Sequence, residues 1–101
     1  MDYRYDQELN LENEEETLHL KRYKVILLND DFTSMDFVVE VLVNIFNHEL
    51  DDAINIMLKI HRNGRGVCGV YVYEIAETKI AQVNQMAKEN EFPLKAIMEE
   101  E

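Results

Sequence analysis

The sequence predicts an α+β domain with the element order β-α-α-β-α-β, in which a three-stranded antiparallel sheet packs against three helices. Two observations carry this prediction. Short β-prone apolar runs occupy residues 23–28, 67–73 and 94–98, and the segments between them repeat apolar residues at helical spacing. Asparagine, aspartate, glycine and one proline mark the boundaries between these segments.

The first strand and the first helix are separated by a polar turn. The strand 23–28 stops at Asn29-Asp30-Asp31, because these side chains bond local backbone amides, and Thr33 or Ser34 is placed to cap the helix that follows. The apolar face predicted for that helix comprises Val38, Val41, Leu42, Ile45 and Phe46.

The second helix begins after residues 47–49, and the glycines of 63–66 end it. Its apolar face comprises Ala53, Ile56, Met57 and Ile60. A strand over 67–73 leads to a third helix, whose apolar positions are Ala76, Ile80, Val83 and Ala87. Pro93 is predicted to end this helix before the last strand.

The acidic charge is concentrated at the N-terminus. The chain has a formal net charge of -11, and residues 1–20 contain seven acidic residues against one arginine. We therefore predict a flexible acidic N-terminal arm over residues 1–20 and a folded domain over 21–101. The net charge disfavours binding to nucleic acid or to anionic membranes.

Several protein classes are disfavoured by what the sequence lacks. The single cysteine rules out an internal disulfide framework and a cysteine-based zinc site, and it fits a reducing compartment. The sequence has no apolar run of about 18–20 residues and no apolar signal core, so we expect a cytoplasmic monomer. No metal or cofactor is expected, because neither a His-x-x-x-His pair nor EF-hand spacing occurs.

Three groups of residues could carry a function. Asn29, Asp30 and Asp31 form either a turn and cap or a cation site, and His61 either caps helix two or faces that loop. Met35, Val38, Met57, Ile60 and Leu94 are either core residues or the wall of an adaptable pocket. Glu74 and Glu77 fit a solvated helix start.

Together these residues resemble a known family. Residues 23–38 closely resemble the signature of ClpS, the bacterial adaptor for N-terminal degrons. Residues 53–61, 66–71, 74–79 and 92–94 continue the resemblance in the right order and spacing, so that it covers the whole predicted domain.

The resemblance implies an adaptor, not an enzyme. Such a protein binds substrates whose first residue is Leu, Phe, Tyr or Trp, and it delivers them to a ClpA- or ClpC-type AAA+ unfoldase paired with the ClpP peptidase. The residues implied to hold the substrate's α-amino group are Asn29, Asp30 and His61, with Asp31 supporting the loop. The side-chain pocket is implied to comprise Thr33, Met35, Val38, Met57, Ile60 and Leu94. The implied unfoldase contacts are Glu74, Glu77 and Lys79, and the arm is implied to engage the unfoldase pore.

Two departures from the family pattern and two competing functions remain. Ser34 replaces a common proline, and Ile60 replaces a common valine and adds one methylene to the pocket wall. The competing functions are a metal-dependent hydrolase using Asp30, Asp31 and His61, and an interaction domain for another partner such as a translation component.

Overall fold

The computed structural model describes residues 20–101, so the predicted arm lies outside the described residues except for Leu20. The six elements are β1 (Arg22–Leu28), α1 (Met35–Asn44), α2 (Leu50–Asn63), β2 (Arg65–Val72), α3 (Tyr73–Glu89) and β3 (Lys95–Glu100). The strands form one antiparallel sheet in the order β2-β1-β3. The predicted fold class and element order are thereby confirmed. Among residues 20–101 no helix is long and apolar enough to cross a membrane.

The core lies between the helices and one face of the sheet. Alternate residues of a strand point to opposite faces, so Val25 and Leu27 share the face that packs on the helices. Both side chains are 0% exposed, as are Val41 of α1, Ala53 of α2 and Val83 of α3. This packing fixes the end of β1 and the end of α2 relative to each other.

The strands begin or end one or two residues from their predicted bounds, and α1 ends at Asn44, before the predicted face residues Ile45 and Phe46. Two further differences concern α3. Tyr73 starts α3 instead of ending β2, because Val72 already occupies the N-cap position with extended backbone. The β-propensity of one tyrosine is a weak preference, and Tyr73, which is 49% exposed, takes helical geometry here. The helix also ends at Glu89, and the turn contains Glu91 at a positive φ of 62°, so Pro93 follows the turn and does not end the helix.

A β-bulge was not predicted. The register between β1 and β2 shifts between Val25, which pairs with Gly69, and Ile26, which pairs with Val67. Cys68 is therefore the extra residue, and its thiol is buried in the core. Burial raises the pKa of this thiol to about 12, so it is an inert packing group.

Candidate functional site

A cavity of about 260 Å³ opens between the loop after β1 and the C-terminal part of α2. Five polar and four apolar residues line it, and they come from the loop, from α1 and from α2. The lining residues are Asn29, Asp30, Asp31, Thr33, Met35, Val38, Met57, Ile60 and His61. The cavity thus combines hydrogen-bonding groups with an apolar wall.

The carboxylate of Asp30 closes the loop on itself. Its Oδ1 accepts hydrogen bonds from the backbone N–H of Phe32 at 2.8 Å and from that of Thr33 at 2.7 Å. Its Oδ2 accepts a third, from the hydroxyl of Thr33, at 2.7 Å. A carboxylate has about four lone-pair sites, so Asp30 retains capacity to accept one more donor from a ligand.

These bonds keep Asp30 ionised. Burial by itself raises the pKa of this carboxyl, but the hydrogen bonds from Thr33 and Phe32 outweigh burial and lower the pKa below its ordinary value of 3.8. A lowered pKa means that the loop bonds contribute fully to stability above pH 3.8 and are lost as the pH falls through the lower native value. The site therefore keeps a negative charge at neutral pH.

The loop is tied to the end of α2 by the backbone. The N–H of Asn29 donates to the carbonyl of Gly64 at 2.9 Å, and Gly64 caps α2 with a φ of 89° that favours glycine. This bond brings the polar loop beside His61, which lies in the last turn of α2. Two segments 32 residues apart in sequence therefore form one site.

The apolar wall comes from both helices. Val38 of α1 and Ile60 of α2 are buried, Met57 is half-buried, and Met35 is 45% exposed at the first position of α1. A Cβ at Gly66 would lie 2.7 Å from Cγ1 of Ile60, so only glycine at this position lets β2 approach the wall so closely. Ile60 is therefore held firmly, whereas Met35 is free to adjust.

The structure brings together every predicted pocket residue except one. Leu94 is 4% exposed within the core and does not line the cavity. Asp31 lines the cavity as an exposed residue, but among residues 20–101 the hydrogen bonds that close the loop are accepted by Asp30. The helix cap is Ser34, whose hydroxyl accepts from the N–H of Phe37 at 3.1 Å, so Thr33 is released to hold Asp30.

The three residues predicted for the unfoldase contact lie on α3, away from the cavity. Glu74 and Glu77 are exposed. Lys79 is half-buried, and its Nζ donates to the carbonyl of Ile45 at 2.7 Å and lies 5.8 Å from the centroid of the Tyr71 ring. Lys79 therefore caps the end of α1, a structural role that the sequence prediction did not include.

The polar side chains of this cavity suit a cationic amine better than a metal ion. Asn29, Asp30 and His61 offer an amide oxygen, a carboxylate and an imidazole nitrogen beside apolar side chains. Within the described residues, no three His, Cys, Asp or Glu side chains are grouped closely enough to hold a metal ion. The arrangement fits a compact group with several N–H donors attached to an apolar side chain.

Comparisons with known proteins agree with one another. The family model described as "ATP-dependent Clp protease adaptor protein ClpS" matches residues 19–97. A ClpS adapter from Wolinella succinogenes is 61% identical over 80 residues, covering 79% of this chain and 78% of the relative. A ClpS adapter from Syntrophus aciditrophicus is 54% identical over 96 residues, covering 95% and 90%.

A solved structure is also similar. The structure of Agrobacterium tumefaciens ClpS2 bound to L-phenylalaninamide has a TM-score of 0.79 and 41% sequence identity. The match covers 82% of this chain and all of that chain.

Proposed function

This chain belongs to the ClpS family of ATP-dependent Clp protease adaptors, and from that premise we propose that it binds the N-terminal residue of its substrates in the cavity beside the β1–α1 loop. Substrates begin with Leu, Phe, Tyr or Trp, and the adaptor delivers them to a ClpA- or ClpC-type unfoldase working with ClpP. The family match does not favour a translation component, and nothing in the described site favours a hydrolase.

The observation that carries the proposal is the pairing of three acceptors with an apolar wall in one cavity. The α-amino group of a peptide has a pKa of about 7.7–8.0, so at neutral pH it is mostly a cation with three N–H donors. Asn29, the free capacity of Asp30, and His61 meet these three donors. The relative's ligand, L-phenylalaninamide, likewise combines a free amino group with an aromatic side chain.

The energies are sufficient for useful affinity. A hydrogen bond to a charged group contributes about 1.5–3 kcal/mol net. Burying a Leu or Phe side chain against Val38, Met57 and Ile60 adds roughly 1.5–3 kcal/mol. Three or four such contributions come to about 4.5–12 kcal/mol, and a micromolar Kd needs about 8 kcal/mol after the cost of association, so it requires values near the upper end of both ranges.

The peptide affinity is expected to depend on pH through the protonation of the substrate's α-amine and of the Asp30 carboxyl. Binding should weaken as the pH rises above about 8, because the substrate amine loses its proton. It should also weaken at acidic pH, as the pH falls through the lowered pKa of Asp30. Fluorescence anisotropy of a labelled Leu-initiated peptide measures this profile, and thermal unfolding of the free protein at each pH is the control. Equal affinity at pH 6 and pH 9 contradicts the amine assignment.

The shape of the pocket is expected to exclude β-branched first residues. Met35 stands at the mouth of the cavity, and a β-branched side chain adds bulk next to the substrate backbone, where the methionine lies. Overpacking of this kind costs about 1–3 kcal/mol, so an Ile-initiated peptide should bind roughly fivefold to 150-fold more weakly than its Leu twin.

Two methionine variants test whether Met35 selects against β-branched first residues or only packs against the substrate. Met35→Ala should narrow the difference between the Leu and Ile peptides. The matched variant Met57→Ala, on the facing helix, should weaken both peptides and keep their ratio. Equal affinity of the unmodified protein for both peptides contradicts the proposed exclusion of β-branched residues by Met35.

Delivery is proposed to use surfaces outside the cavity. Glu74 and Glu77 are exposed on α3 and are the proposed contacts for the unfoldase, while Lys79 supports that surface through Ile45. We propose that residues 1–20 engage the unfoldase during handover. The adaptor itself performs no catalysis, acts as a monomer and works in the cytoplasm, which suits its one buried, unreactive thiol.

Removing residues 1–20 tests the division between capture and delivery. We expect peptide affinity to stay unchanged, because the described lining of the cavity comes from the loop after β1, from α1 and from α2. Degradation of a Leu-initiated reporter by the unfoldase and ClpP should fall severalfold. Peptide titration and reporter degradation measure the two effects. A reporter that begins with Glu is the control. A loss of peptide affinity, or degradation at the full rate, contradicts the proposed division.

A further inference from the structure

The face of the sheet that points away from the helices carries several basic side chains, although the protein as a whole is acidic. Strand alternation places Lys24 and Ile26 of β1 on this outer face, opposite Val25 and Leu27 of the core. Arg22 of β1 lies on the same face, and Leu28 pairs there with Arg65 of β2 and Lys95 of β3. One carboxylate, that of Glu99 opposite Lys24, shares this face. Four cations thus lie on one face of a chain whose net charge is -11.

This outer face also exposes apolar surface. Val67 and Val70 of β2 are 45% and 37% exposed. Arg65 of β2 and Glu99 of β3 form an ion pair of 2.6 Å that crosses over β1. Ile26 of β1 lies at the same level, and its side chain is 2% exposed although it is not part of the core cluster. The face is therefore an ordered surface with cations around apolar side chains.

A groove forms where α2 borders this face at the edge of β2. Its volume is about 360 Å³, and three cations and one carboxylate line it together with apolar side chains. The carboxylate, Glu99, is paired with Arg65, so Lys24 and Lys59 are the cations open to an occupant. It shares no lining residue with the cavity beside the β1–α1 loop. An occupant of the groove must offer carboxylates together with apolar side chains, and it leaves the first cavity open.

The N-terminal segment of the same chain has this chemistry. Residues 1–19 contain seven acidic residues and one arginine, together with Leu9, Leu11 and Leu18. The segment joins the fold at the start of β1, and Lys24 lies only two residues beyond Arg22. Ten extended residues reach about 33 Å, so the segment is long enough to turn back and cover the groove.

We propose that residues 1–19 dock on the outer face of their own sheet, with carboxylates beside Lys24 and Lys59 and leucines on Val67 and Val70. Connection to β1 gives the segment a high effective concentration at this face, so that individually weak contacts suffice. The docking depends on salt, because the charges are near the surface. Release from this face makes the segment available for handover.

Paramagnetic broadening in the full-length protein tests the docking. A nitroxide is attached at Asn13→Cys, and Cys68 does not compete for the label because it is buried and has a pKa of about 12. We expect the amide signals of Val67, Val70 and Ile97 to lose more than half of their intensity, and those of Val83 and Ala87 on α3 to be unaffected. In about 1 M salt, where the Debye length is about 3 Å, the loss should decrease at least twofold.

Charge variants provide the matched control. Lys24→Gln combined with Lys59→Gln should reduce the broadening at least twofold, whereas Lys88→Gln, which removes one exposed cation of α3, should not change it. Broadening confined to residues 20–24 overturns the proposal. It is also overturned if spin-labelled chains added to unlabelled, isotope-enriched chains reproduce the full effect, because the docking is then between molecules.

Discussion

Replacing Asp30 by asparagine is expected to weaken the binding of a Leu-initiated peptide by roughly tenfold to 100-fold. The substitution keeps the shape of the side chain but removes the charge that pairs with the substrate's α-ammonium, and a charge-assisted hydrogen bond contributes about 1.5–3 kcal/mol. The amide oxygen can still accept the two backbone bonds from Phe32 and Thr33, but the amide nitrogen that replaces Oδ2 cannot accept the bond from the Thr33 hydroxyl. Peptide titration and thermal unfolding separate the binding effect from the loop effect.

The neighbouring carboxylate provides the matched control. Asp31 lines the same cavity and carries the same charge, but it accepts none of the three bonds that close the loop. Asp31→Asn should therefore change affinity only slightly, by the loss of a nearby exposed charge. Equal losses in the two variants show that the overall negative potential, and not the geometry of Asp30, attracts the peptide. An unchanged affinity in Asp30→Asn contradicts the assignment directly.

The fold could be predicted from the sequence because its local signals agree with one another. Helical spacing, the polar stop after β1 and the glycine at the end of α2 all indicate the same element order, and the structure confirms it. The errors at Tyr73 and Pro93 are boundary errors, since these positions are decided by how α3 packs on the sheet. The bulge at Cys68 has no local signature, because it depends on the register between two strands.

The candidate site was only partly predictable from the sequence. Residue types and the family resemblance identify the amine-binding set, but not the contacts that hold its members in place. The hydrogen bond from the Thr33 hydroxyl to Asp30 depends on the backbone path of the loop, which the sequence does not reveal. The bond from Asn29 to Gly64 joins segments that are distant in sequence, so no local pattern predicts it. Leu94 was assigned to the side-chain pocket from the family resemblance, but its side chain is 4% exposed and belongs to the core.

Blocking the substrate's amine is expected to have an even larger effect than Asp30→Asn. Acetylation removes the positive charge and leaves one N–H donor where the free amine has three. At least two charge-assisted bonds are lost, at about 1.5–3 kcal/mol each, and the carboxylate of Asp30 is left desolvated without its partner. These losses predict a decrease in affinity of at least about 100-fold. The same reasoning explains how a chain end is distinguished from an internal peptide group.

The most direct measurement is a calorimetric titration of the full-length protein with a Leu-initiated peptide and with its acetyl-Leu twin. The two peptides have the same side chain and sequence, so they differ only at the group that Asn29, Asp30 and His61 are proposed to hold. A Phe-initiated peptide is the positive control for a second bulky side chain. We predict clear binding of the free Leu and Phe peptides and no detectable binding of acetyl-Leu. Equal binding of Leu and acetyl-Leu contradicts the proposal that this cavity captures substrates by their α-amino group.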